Sequence, residues 1–152
     1  DIEHDLNVEQ VQWLTNLING PDKKNVLLSH HQPFSAYEAG GGGEERLQKW
    51  TRDLAGDKKI AAWFWGHEHL CVSYKRFKGI KGACIGHGCF PYEIPPPSPL
   101  FSGPQIEWVL RASDPRHSGR GIHGFAVLDI SGSQMQVSYR DETGKERFSE
   151  SL

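Results

Sequence analysis

The chain has 152 residues, 37% hydrophobic and 24% charged, the balance of a single globular domain. A formal net charge of -2 excludes a basic surface built for nucleic acid or anionic membrane. No apolar run nears the roughly 20 residues of a membrane span, and five tryptophans with seven phenylalanines exclude a disordered chain. The three cysteines, Cys71, Cys84 and Cys89, are too few and odd in number for a disulfide framework, which favours a reducing, cytoplasm-like compartment. Asp1-Ile2-Glu3-His4-Asp5 has neither the basic n-region nor the apolar h-region of a signal peptide, and no initiator methionine. The expectation is a chain that starts inside a longer protein.

The first element reads as a helix marked at both ends. Asn7 caps it with Gln10 three residues on, Val11, Leu14 and Ile18 follow at helical spacing, and Asn19-Gly20-Pro21 stops it. Asn25-Val26-Leu27-Leu28-Ser29 reads as a short buried strand that opens directly onto His30-His31. A glycine tract, Gly40 to Gly43, leads into a second helix from Glu44 to Leu54, whose acidic start suits the positive helix N-terminus. Ile60-Ala61-Ala62-Trp63-Phe64-Trp65 is unbroken apolar sequence, the mark of a strand covered on both faces, and it ends at Gly66. Further strands are expected at Cys71 to Phe77, Gly82 to Ile85, Gly124 to Ile130 and Met135 to Arg140. Residues 91–121, rich in proline, glycine and serine, read as a long rim loop. The order implies a layered α/β domain with a mixed sheet flanked by helices, one domain over residues 1–152.

Gly66-His67-Glu68-His69 follows the apolar strand at once. In extended backbone, residues two apart share a side, so His67 and His69 are expected to converge, with Glu68 pointing away. A lone pair of this kind is as well explained by a polar turn. His30-His31 also sits just past an apolar strand, and two parallel strands joined by a crossover bring their C-terminal ends together. Two histidine sites on one rim favour a divalent transition-metal site.

These residues carry a resemblance. Val26-Leu27-Leu28-Ser29-His30-His31-Gln32-Pro33-Phe34-Ser35 is similar to the fourth metal motif of the calcineurin-like metallophosphoesterases, the superfamily of the purple acid phosphatases and phosphodiesterases. Gly66-His67-Glu68-His69 resembles their fifth motif, G-H-x-H, and Gly121 to Ile130 their closing strand. The resemblance implies a β-sandwich of two mixed sheets flanked by helices, with this chain as its C-terminal half. It implies hydrolysis of a phosphomonoester or phosphodiester with two divalent ions (manganese, iron or zinc). His30 and His67 would bind one ion and His69 the other. His31 is expected near the substrate, and Gln32 stands where many relatives carry proline.

The family's N-terminal motifs, D-x-H, G-D-x-x-D and G-N-H, are absent, so the proton-donating histidine of the last is absent too and no catalytic residue is assigned here. Two divalent ions about 3.5–4 Å apart need a bridging carboxylate, and the sequence offers no identifiable one. The expected partners are therefore a phosphate-ester substrate and the upstream half of the same domain, or a companion chain supplying it. Two other readings stay open: a non-catalytic binding module that kept half the fold, and a mononuclear zinc hydrolase using His30, His67 and His69. Cys84-Ile85-Gly86-His87-Gly88-Cys89 lacks the four ligands of a structural zinc site and reads as a glycine-bracketed loop that is expected to reach substrate phosphate through backbone N–H groups or His87. His117 and His123 read as surface residues.

Overall fold

The computed structural model describes residues 7–20, 24–38, 47, 59–90 and 92–152. Helix α1 spans Val8–Ile18 and begins with the expected capping box: the Asn7 side chain accepts from Gln10 N at 2.8 Å, and Gln10 Oε1 accepts from Asn7 N at 3.0 Å. Of the second expected helix only Leu47 falls among the described residues, and the glycine tract lies outside them.

Five strands form a mixed sheet: β1 (Asn25–Ser29), β2 (Ile60–Trp65), β3 (Cys71–Tyr74), β4 (Lys81–Ile85) and β5 (Ile106–Val109), in the order β1-β2-β4-β3-β5. Strands β1, β2 and β4 run parallel, while β3 is antiparallel to both β4 and β5. A second, antiparallel sheet contains β6 (Gly124–Ser131), β7 (Gln134–Asp141) and β8 (Glu146–Ser151) in chain order.

Residues 91–121 are not all loop, because β5 lies within them. The reason is pairing: Trp108 stands opposite Ser73 of β3, and its ring stacks on Phe148 of the other sheet at 5.0 Å. Strand β8 is a further element that the apolar pattern does not announce. Glu146–Ser151 has one aromatic and no aliphatic residue, and it becomes a strand by pairing with β7, where Phe148 faces Tyr139.

Alternation in β2 divides the core. Trp63 and Trp65 point to the side holding Ile18 of α1 and Phe34, Ala36 and Tyr37. Ala62 and Phe64 point to the other side, against Met135, Val137 and Tyr139 of β7. Polar groups also join the sheets. Lys81 Nζ lies 2.5 Å from Glu150 Oε2 and 2.9 Å from Ser73 Oγ, and the Tyr139 hydroxyl donates to Glu150 Oε1 at 2.8 Å.

Candidate metal centre

Strands β1 and β2 end at the same level, with Ser29 opposite Trp65. The backbone N–H groups of Gly66 and His67 both donate to the His30 carbonyl, at 3.1 and 2.9 Å, tying the two rim segments together. His30 Nε2 and His67 Nδ1 consequently stand 3.2 Å apart. The His31 ring completes the cluster, its centroid 4.8 Å from that of His30 and 4.6 Å from that of His67. One nitrogen from each of the three rings lies within 4.8 Å of the others, the only such metal-sized group among the described residues.

The support beneath the cluster is local. Trp63 Nε1 donates to Ser29 Oγ at 2.7 Å, and that hydroxyl donates to the His31 carbonyl at 2.7 Å. Beyond His31 the chain crosses the end of the sheet through a buried segment. Ser35 Oγ accepts from the backbone N–H groups of Tyr37 and Glu38 at 2.9 and 3.3 Å, and it donates to Glu68. This turn brings Glu38 Oε1 to 3.9 Å from His67 Nε2, and the Gln32 side-chain amide donates to the other Glu38 oxygen.

Glu68 turns inward. It accepts from Trp65 Nε1 at 2.6 Å and from Ser35, and burial pushes its carboxyl up to about 7. His69 does not join His67 in the cluster. The extended backbone expected for Gly66 to His69 is replaced by a turn in which His69 has φ 49°, and its ring packs against Phe90 at 5.6 Å. Phe90 belongs to the loop after β4, which lies against the loop after β2. A Cβ on Gly86 would sit 1.9 Å from the Gly66 carbonyl oxygen, so only glycine permits this approach.

His87 is corrected by its burial. It is fully enclosed, and neither ring nitrogen has a hydrogen-bond partner among the described residues, so it presents no surface to a substrate phosphate. Burial lowers its pKa to about 4. Cys84 is likewise buried and Cys89 exposed, and the three cysteines are free thiols. His123 stacks with Tyr92 at 6.4 Å between ring centroids.

Sequence reasoning misses Glu38 and Gln32. They lie in a segment without periodicity, and nothing in the spacing of the two residues announces their meeting. His31, expected near the substrate, stands among the clustered nitrogens. Three imidazoles beside one carboxylate form a donor set suited to zinc, manganese or iron.

No family model matches the chain. Human (Homo sapiens) tartrate-resistant acid phosphatase type 5 is 27% identical over 141 residues, covering 91% of this chain and 41% of that protein. Among solved structures, GAP50, described as the anchor in the inner membrane complex of Plasmodium, superimposes with a TM-score of 0.73 at 11% identity, covering 99% of this chain and 46% of that one. A purple acid phosphatase from yellow lupin (Lupinus luteus) seeds gives a TM-score of 0.61 at 15% identity, covering 95% of this chain and 28% of that one. The chain thus spans less than half the length of each.

Proposed function

We propose, for a chain with the fold and sequence likeness of the C-terminal half of a purple acid phosphatase-type metallophosphoesterase domain, that the complete domain hydrolyses a phosphomonoester or phosphodiester with two bound divalent ions. The observation that carries this reading is the meeting of His30 and His67 at the ends of two parallel strands. Both offer a neutral nitrogen to one cation, and His69, on the neighbouring turn, is assigned to the second. The ions would supply an activated water and stabilise charge on the phosphoryl oxygens. This chain's own part is to fix the imidazoles through the His30 carbonyl and the Ser29–Trp63 pair. Carboxylate ligands and the proton donor belong to the rest of the domain.

Exposed apolar surface supports an upstream half as partner. Among the described residues, strand β1 is an edge of its sheet with Leu28 74% exposed, and α1 presents Val8, Trp13 and Leu17 to solvent. An unpaired edge beside an apolar face is a surface that folded proteins normally cover.

A second reading, a non-catalytic anchoring module, is favoured by one observation: the structural match with the higher TM-score of the two is to a protein described as an anchor. One assay separates the readings. The chain and a version extended through the upstream half are loaded with manganese or zinc and given an aryl phosphate and an aryl phosphodiester. The extended protein should hydrolyse at least one, the short chain should show only a trace, and His67→Ala should abolish most turnover of the extended form. An extended protein that binds metal without turnover supports the anchoring module instead.

A further inference from the structure

We propose that the end of the five-stranded sheet opposite the histidine rim is a docking surface for an anionic membrane, one that leaves His30 and His67 facing solution. The chain total of -2, from which no basic surface is expected, is a sum over both ends of the molecule. The topology gathers the cations at one of them.

Strands β1, β2 and β4 run parallel, so their starts share one end of the sheet. Each start follows a cation. Lys24 precedes β1, Lys59 precedes β2, and Lys75, Arg76 and Lys78 occupy the turn that leads into β4. Hydrogen bonds set these segments side by side: Asn25 N donates to the Lys59 carbonyl at 2.7 Å, and Arg76 Nη1 donates to the Ala61 carbonyl at 3.5 Å. Residues 24–28, 59–65 and 75–81 contain no aspartate or glutamate, and in the sequence Asp22 and Asp57 are each offset by a further lysine, Lys23 and Lys58. Glu107 stands at the irregularity of β5 beside Ser73 and Tyr74, a single negative charge against the five positive ones. None of the five cations forms an ion pair with another described residue.

The tip between β3 and β4 holds its charges in place. Phe77 and Ile80 exchange backbone hydrogen bonds, both 3.0 Å, around Lys78 and Gly79 at φ 50° and 84°. Left-handed backbone favours glycine or asparagine over lysine, so the turn itself does not call for the charge at Lys78. The Phe77 ring packs inward on Phe34, and the Lys78 ammonium covers it 5.1 Å from its centroid.

The chemistry of the patch separates a membrane from other polyanions. Arg76, its one guanidinium, is engaged on the Ala61 and Gly79 carbonyls. The other four cations are lysines, point charges on flexible stems. They suit a fluid array of lipid headgroups better than a partner needing a fixed bidentate fork. Residues 24–28, 59–65 and 75–81 present no exposed aromatic ring on which a base could stack or a protein hot spot could form.

The test uses the extended protein, so that the apolar surface of the short chain does not itself take up lipid. It is sedimented with vesicles of phosphatidylcholine alone and of phosphatidylcholine with phosphatidylserine, at low and at high salt, and far-UV circular dichroism checks the fold. Binding only to the vesicles with phosphatidylserine, and its loss at high salt, are expected. Lys75→Gln with Lys78→Asn should weaken binding about twenty-fivefold, roughly fivefold for each lysine, and asparagine keeps the turn. Lys145→Gln, the same change of charge at the turn between β7 and β8, should leave binding intact. No vesicle binding, equal binding to both kinds of vesicle, or binding unchanged in the double variant would overturn the proposal. So would tighter binding to a DNA duplex that the double variant loses, which assigns the patch to nucleic acid. None of these outcomes touches the two-ion reading, which stands or falls on turnover by the extended protein.

Discussion

Lys81 of β4 and Glu150 of β8 meet between the two sheets, Nζ to Oε2 2.5 Å, with both side chains almost wholly enclosed. Ser73 and Tyr139 complete the hydrogen bonding of the pair. Removing one partner strands the other charge. Glu150→Ala should therefore lower unfolding free energy by about 3–5 kcal/mol, measured by urea denaturation. The double replacement Lys81→Met with Glu150→Leu should lose far less, because it buries no charge. A single variant as stable as the parent would show that the pair does not lock the sheets.

Acid should weaken the fold in two steps. His87 is buried as a neutral ring, with its pKa lowered from 6.5 to about 4. The unfolded chain takes up this proton more readily, so the stability His87 supports is complete above pH 6.5 and is lost as pH falls towards 4. His87→Leu should flatten stability across that window. An unchanged pH slope would mean that His87 is not enclosed in solution.

The second step belongs to Asp141, whose carboxyl is held down at about 2 by the Thr143 hydroxyl, then by Arg147 and by the backbone N–H groups of Thr143 and Lys145. Its contribution is complete above its ordinary value of 3.8 and lost as pH falls through 2. Asp141→Asn should lower stability at neutral pH and reduce the loss between pH 4 and 2. Thermal melts across that range provide the measurement.

Gly86 tests the rim itself. A methyl group there would collide with the Gly66 carbonyl oxygen, and backbone cannot swing aside as a side chain can. Gly86→Ala should cost about 1–3 kcal/mol or more and push apart the loops carrying His67 and Phe90, weakening zinc binding in the same protein. Gly144→Ala, at a turn with φ 85° and open space around it, should cost stability and leave zinc binding intact.

Features encoded within one segment are legible in the amino-acid order itself. The Asn7–Gln10 capping box depends on neighbours three residues apart, and β1 and β2 declare themselves by short apolar runs. The juxtaposition of His30 and His67 follows from one further rule, that parallel strands joined by a crossover end on one side. What lies beyond the sequence depends on contacts between distant segments. Strand β8 has too few apolar residues to show a period, and β5 hides in proline-rich sequence; each exists because a neighbour offers an edge to pair with. The backbone after Gly66 turns instead of extending, and this carries His69 away from His67. His87 is enclosed because Gly124 leaves room for its ring, a decision taken 37 residues down the chain. Glu38 reaches His67 only because Ser35 and Gln32 fold the segment after β1 back over the sheet end. Local periodicity and capping write the elements into the sequence, whereas the partners of a polar side chain are settled by which surfaces pack, and packing is a property of the whole chain.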